Sequence, residues 1–523
     1  AHVRQRVPQC PGQGDPVGSC TGPGVGHDTA EEFHPPRRVT APQTVPAPPE
    51  PASQDDLPAK SQSLGRRWRR TLSGTDGTTV LTAYIAMLLL LPARYVFAPL
   101  GAAGTPAQMI AIVIALWWGS HWMSRTKARK LGRQPVTRTM LLFTTAVLIS
   151  YIVATTRSID TLELNATDRS LLSLLGWLGV VLVAGTLIPV RHRLDQLLRR
   201  TVTFGTLLAA LGDLQFLTGR TFTEYLQIPG LSENEDLTSV LEREGLNRAA
   251  GTAVHPIEFG VVITMLLPIA LHFAVHDLHR PAWRRWLPVA VIAMAIPASV
   301  SRSSILCGSI VMGFLLPTWE TMMRRLAYLA LVVGGGLVFV GVPGMLGTLL
   351  QLFSGISEDS SARSRTDSYG VAVDFISRTP MFGRGFSTFL PAYRILDNQY
   401  LGSLIEVGVF GVLSLLGLFI TGILSALLVR HRSHNPNTRS LALSLAAAIS
   451  AGATSFAFFD AFAFSMISGL MFYLLGMINA LYSLQSQEGR RIASNVSRNA
   501  ASPATGAAPP GTYAAGPPQQ VKV

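Results

Sequence analysis

Between about residues 77 and 485 the chain is a series of apolar stretches, each 15 to 28 residues long, separated by polar links. About 20 apolar residues in helical form cross a bilayer core. Inside lipid only a helix or a closed barrel satisfies its own backbone, so stretches of this length exclude an ordinary water-soluble domain. The composition agrees: 48% of the residues are hydrophobic and 14% are charged, where a soluble domain carries roughly a quarter charged.

The stretches lie near 79–99, 105–124, 139–155, 170–189, 201–218, 256–275, 286–300, 304–318, 326–350, 401–428, 440–459 and 461–483. They predict an all-α polytopic membrane protein with about twelve transmembrane helices. Two pairs are nearly continuous, divided only by Ser301-Arg302-Ser303-Ser304 and by Asp460. A formal net charge of +13 would suit nucleic acid, but the cations gather in the links between apolar stretches, which excludes nucleic acid as the partner. One set of links holds Arg125, Lys127, Arg129, Lys130 and Arg133, then Arg191, Arg193, Arg199 and Arg200, then Arg280, Arg284 and Arg285. Arg324, Arg325, Arg430, Arg432 and Arg439 continue it. The alternate links hold Asp160, Glu163, Asp168, Glu233, Glu235, Asp236, Glu242 and Glu244. Cationic links face the cytoplasm, which predicts both tails there and long outer loops at about 219–255 and 352–400. The second loop, between the ninth and tenth spans, reads as partly helical.

Residues 1–76 and 486–523 are expected to be disordered cytoplasmic tails flanking a membrane domain over 77–485; their Pro, Gly, Ser and Gln cannot bury a core. No secretory leader is visible in the polar, Pro-rich first stretch. Arg66-Arg67-Trp68-Arg69-Arg70 would lie against anionic membrane lipids, each cation adding about 1 kcal/mol. Cys10, Cys20 and Cys307 suggest neither a disulfide nor a metal site.

Four features gather on the outer side. Arg248-Ala-Ala-Gly251-Thr252-Ala-Val-His255-Pro256 precedes a span. Pro256 suits the first turn of a helix, which places His255 at its cap and Glu258 one turn on, read either as a site or as an interfacial cap with a snorkelling acid. Second, Arg302 sits in a thin outer turn, where a phosphate is its best-matched partner. Third, a loop helix from about Arg365 to Ser377 carries Tyr369, Val373 and Ile376 as an apolar stripe suited to the membrane surface. Arg363-Ser-Arg365-Thr-Asp367 opens it, and Pro380-Met-Phe-Gly383-Arg384-Gly385-Phe386 follows, a turn whose glycines permit close backbone approach. Fourth, Asp397-Asn398-Gln399-Tyr400-Leu401 runs into a span with Gln399, Ser403 and Glu406 on one face. Glu406 is either functional or tied to a neighbouring helix.

In this order the motifs R-x-x-G-T-x-x-H-P, S-R-S, R-x-x-x-aromatic with P-x-x-G-x-G, and D-N-x-Y-L-x-x-L-x-E-x-G-x-x-G resemble the O-antigen ligase/polymerase family over about residues 240–415. The resemblance implies a glycosyltransferase without cofactor or metal in the bacterial cytoplasmic membrane. Its donor would be a polyprenyl-diphosphate-linked saccharide and its acceptor another glycan or a lipid. Arg302 and Arg365, with Arg248, would hold the diphosphate. Arg384, Asn398, Tyr400 and Glu406 complete the substrate-binding set. Family members often carry His where this chain has Asp397, so Asp397 is the expected base and His255 the alternative. A carrier or flippase of lipid-linked saccharides is the competing reading; carriers show internal repeats and broken helices with polar groups at mid-membrane. No convincing repeat is found, and the polar residues collect at the outer ends of spans.

Overall fold

Proline and capping side chains start most of the helices. Pro106, Pro135, Pro256 and Pro436 each occupy a first helical turn, where a missing N–H costs nothing. Asp76, Asp160, Asn398 and Asn435 cap with side-chain oxygens. The computed structural model describes residues 76–123, 134–226, 228–233, 242–243, 246–341 and 360–501, some as backbone alone. The N-terminal tail through residue 75 with its basic cluster at 66–70, the cationic link at 125–133, and Glu235 and Asp236 lie outside them. So do the side chains of Arg363, Arg365 and Asp367.

Thirteen α-helices occur among the described residues. They are α1 (Gly77–Leu90), α2 (Pro106–Met123), α3 (Pro135–Thr155), α4 (Thr161–Leu187), α5 (Arg191–Thr218), α6 (Pro256–His276) and α7 (Ala282–Ala298). There follow α8 (Arg302–Leu315), α9 (Thr321–Gly341), α10 (Ser360–Arg378), α11 (Gln399–Arg432), α12 (Pro436–Ser455) and α13 (Ser465–Ala501). Among the described residues each of the twelve apolar stretches overlaps one α-helix, and α10 lies in the expected outer loop. Six helices among the described residues (α3, α4, α5, α6, α11 and α13) are long and apolar enough to cross a membrane. α13 continues to Ala501, past the expected tail boundary at 486; its Gln, Glu, Arg and Ala residues are good helix formers and extend the turn pattern without a break.

α6 and α13 are the central helices: 89% and 83% of their most apolar windows are buried. α13 packs on α3, α4, α6, α11 and α12, and α6 packs on α7, α8 and α12. Small residues let the layers approach. A Cβ on Gly179 of α4 would lie 2.5 Å from Ala115 of α2. Side-chain bonds then fix which ends meet. At one end Arg191 donates to Thr438 Oγ1 (2.8 Å) and Asn479 to Gln134 (2.9 Å), and His272 bonds Ser440 (2.9 Å). At the other end Thr252 donates to the Leu89 carbonyl (2.8 Å) and Gln215 to that of Gly251 (3.0 Å). Two short antiparallel pairs, β1 (Tyr95–Val96) with β2 (Ser232–Glu233) and β3 (Glu242–Arg243) with β4 (Leu246–Asn247), also belong to this second end. Among the described residues, the cationic links at 191–200, 280–285 and 430–439 therefore share one end of the bundle and the motif turns share the other.

Candidate functional site

The start of α6 is built by its own first residues. His255 caps the helix, its Nδ1 accepting the Ile257 N–H at 3.1 Å. That bond places the ring proton on Nε2, so the second nitrogen is a donor. Burial, and then the nearby Arg248 charge, push the imidazole down to about 4. Glu258 is fully buried and acts as a cap for another helix: Oε1 accepts from Met466 and Ile467 N–H at 2.8 and 3.1 Å, and Oε2 from Val254 N–H at 3.1 Å. The His255–Glu258 pair thus sets α13 against α6.

Arg248 donates to the Ser299 carbonyl (3.3 Å), and Ala249 N–H to that of Ala298 (3.1 Å), so the Arg248 segment lies along the α7–α8 turn that presents Arg302. Arg302 is the first residue of α8 and half-buried. The turn before it passes through Val300 at φ 44°, a left-handed conformation costly for a β-branched side chain. The turn sits tight on α6: a Cβ on Gly260 would meet Ser304 Oγ at 2.0 Å and Ser299 Oγ at 2.5 Å.

α11 is broken at Gly408 (φ 66°, ψ −171°). The break removes α-helical partners from groups on both sides of it, which cannot be left unbonded near lipid. The glycine turn before α11 supplies them. Arg384 and Gly385 N–H donate to the Ile405 and Glu406 carbonyls (3.0 and 2.9 Å), while Val409 and Phe410 N–H donate to the Pro380 and Met381 carbonyls (2.9 and 3.3 Å). The close approach foreseen for Gly383 and Gly385 is therefore toward a helix backbone. The Glu406 side chain, buried, accepts from Ser387 and Phe389 N–H.

Arg384 is paired from behind by Glu163, in the first turn of α4 and 2% exposed. Glu163 also accepts from Arg157 (2.5 Å) and from the Tyr393 hydroxyl (2.7 Å). The Arg384 guanidinium stacks 5.0 Å from the Phe375 centroid and 5.3 Å from that of Tyr393. Phe375 and Ile376 of α10 pack on the small core of Ala372, Leu396 and Ile405, while Tyr369 and Val373 face outward.

Asp397 lies just before α11 at φ 50°, a conformation that Asp tolerates better than most residues. Asn398 is the helix cap, accepting from Tyr400 and Leu401 N–H at 3.1 and 3.2 Å. The Tyr400 hydroxyl donates to the Ala453 carbonyl (2.6 Å), and Gln399 N–H to that of Phe456 (2.8 Å). Asp460, between α12 and α13, accepts from the N–H groups of Leu396, Asp397 and Asn398. Burial first, and then the Asp397 charge, raise its carboxyl above the ordinary range. Beneath, Phe462 N–H donates to Gln399 Oε1 (2.7 Å), and its ring packs against Trp177, Phe386 and Phe456 at centroid distances of 5.1, 5.8 and 5.4 Å.

The link 456–464 thereby joins the two halves, holding the Asp397 loop through Phe456 and Asp460 and touching the His255 ring with Phe464 at 6.2 Å. Arg248, His255, Arg302 and Asp397 share this end of the bundle, whereas Arg384 is drawn toward Glu163. The positive-φ non-glycine residues among the described ones are Val300, Ser387 and Asp397, one in each of three motif turns. Such strain collects at functional sites. Sequence reasoning missed Glu163 and Asp460 as partners of these motifs. Asp460 carried a signal, being the one charge inside a long apolar run. Among the described residues no group of three or more His, Cys, Asp or Glu side chains is arranged to hold a metal ion.

Apolar helices of spanning length, with half-buried arginines and carboxylates gathered at one end, define a multi-pass membrane protein. Residues 287–416 match the family described as O-antigen ligase, which supports the O-antigen ligase/polymerase family for this chain and points to glycan transfer in a membrane. The matched stretch includes Arg302, Arg384, Asp397 and Glu406; Arg248, His255 and Asp460 lie outside it. No curated protein matches the chain.

Proposed function

We propose that this protein transfers a glycan from a polyprenyl-diphosphate-linked donor to a saccharide or lipid acceptor, without a metal, at the outer face of a bacterial cytoplasmic membrane with both tails inside. The reading rests chiefly on the depth of the site. On α11 the run from Phe410 to Val429, just before Arg430-His431-Arg432, is twenty residues; at 1.5 Å each it covers about 30 Å, the thickness of the hydrocarbon core. On α12 the run from Pro436 to Ala453, whose carbonyl holds Tyr400, covers about 27 Å by the same rise. These lengths support a position for the Asp397 loop level with the membrane boundary, where a lipid-linked diphosphate resides.

In this reading Arg248, Arg302 and Arg365 hold the diphosphate. As the bond from the sugar carbon to the diphosphate oxygen breaks, its electron pair moves to the phosphate, and fixed guanidinium groups stabilise the added charge. Asp397 takes the proton of the acceptor hydroxyl as its oxygen bonds to the sugar carbon. His255 offers its Nε2–H to an oxygen of donor or acceptor. Asn398 caps α11, Tyr400 holds the Asp397 loop on α12, and Arg384 holds the turn that closes the break in α11. Glu406 orders the same turn. Arg302→Ala and Arg365→Ala are expected to abolish transfer with membrane insertion intact; retained activity in both would overturn the diphosphate clamp.

The break at Gly408 is a feature that carriers share. Here the 380–385 turn bonds the freed backbone groups instead of a transported ion, which favours the enzyme.

A further inference from the structure

The turn that closes the break in α11 also carries an exposed apolar pair. Met381 is 55% exposed and Phe382 38% exposed. Phe382 stacks on Phe410 of α11, centroids 5.3 Å apart and planes at 19°. Phe410 begins the exposed face of α11, which continues through Leu413, Ile420 and Leu424. All are large and apolar, and they extend along the part of α11 whose length matches the hydrocarbon core. A stripe of that length and composition is suited to lipid. Met381 and Phe382 prolong it at its outer end, held in register by the bonds from Val409 and Phe410 N–H to the Pro380 and Met381 carbonyls. The neighbouring Arg378 at the end of α10 is 68% exposed and paired with Asp374 on the helix surface. The sequence of the turn thus passes from a solvated charge to buried glycines through two side chains suited to the acyl–headgroup boundary.

We infer that Met381 and Phe382 insert into the outer edge of the bilayer beside Phe410, as an interfacial anchor for the loop 360–396. The partner is the lipid leaflet itself, and burial of apolar area in the boundary region drives the contact. Because the same turn carries Gly383, Arg384 and Gly385, the anchor fixes the height of the Asp397 end of the bundle against the membrane surface. The inference needs the chain to be a membrane protein but does not depend on glycan transfer.

The test uses the full chain with Cys10, Cys20 and Cys307 replaced by Ser, reconstituted in phosphatidylethanolamine–phosphatidylglycerol vesicles. A nitrobenzofurazan label is placed in turn on Phe382→Cys, Met381→Cys and Arg378→Cys. The label at 381 and 382 should show blue-shifted emission, quenching by a lipid carrying a shallow nitroxide and loss of quenching by aqueous iodide. The label at 378 should show the opposite. Met381→Cys leaves the Phe382–Phe410 stack intact, so it reports even where Phe382→Cys fails to fold. Iodide quenching at 381 equal to that at 378 would overturn the anchor.

Discussion

Gly383 and Gly408 face each other backbone to backbone. A Cβ on Gly383 would lie 2.2 Å from the Glu406 carbonyl oxygen, and one on Gly408 would lie 2.4 Å from the Met381 carbonyl carbon. Both have left-handed φ, 71° and 66°. Neither contact can yield without opening the bonds that close the broken helix. Gly383→Ala and Gly408→Ala are each expected to cost about 2–4 kcal/mol and to remove activity. Thermal unfolding in detergent checks this, and a loss within about 0.5 kcal/mol, the range of an ordinary surface change, would contradict the close approach.

Glu163→Gln should destabilise by about 3 kcal/mol, because it leaves the partly buried Arg384 and Arg157 without their shared carboxylate. The double variant Glu163→Gln with Arg384→Met should recover part of the loss, since the uncompensated charge goes with it. Additive losses in a double-mutant cycle would show that the pair is not coupled.

Asp397→Asn should reduce transfer more than Glu406→Gln. Asp397 is the proposed base, whereas Glu406 accepts backbone N–H groups that an amide oxygen still satisfies in part. The reverse ranking in initial rates would move proton transfer to Glu406.

The His255 ring gives a pH dependence of fixed sign. Its folded value of about 4 lies below the ordinary 6.5, so the unfolded chain binds more protons between these limits. The stability from the neutral ring is complete above about pH 6.5 and is lost as pH falls toward 4. His255→Asn keeps a cap acceptor and should flatten the fall in melting temperature across that window. An unchanged slope would mean that His255 is not held neutral.

The helical, membrane character was legible because apolar length marks a membrane segment: a described helix overlaps each of the twelve stretches, six of the helices have spanning length and composition, and Pro256 starts α6 where its missing N–H predicts. The sharing of one end by Arg302, His255 and Asp397 followed from the alternation of cationic links. The partnerships were not legible. Glu163 read as one of several loop acids because its bonds to Arg384 and Tyr393 cross more than 200 residues. The glycine turn read as a place of close backbone approach without its partner, because the same backbone freedom serves a phosphate and a broken helix equally well. Nor were the bonds legible by which Asn398 caps α11 and Tyr400 holds it on α12.

The central claim is tested most directly with the purified protein in sealed vesicles. The vesicles are supplied with polyprenyl-diphosphate oligosaccharide in the presence of a chelator, and free polyprenyl diphosphate and glycan product are followed together. Release of the diphosphate with matching glycan transfer, surviving the chelator and lost in Arg302→Ala, is the predicted result. Movement of intact donor between leaflets with no diphosphate released would contradict it and assign the protein to the carriers.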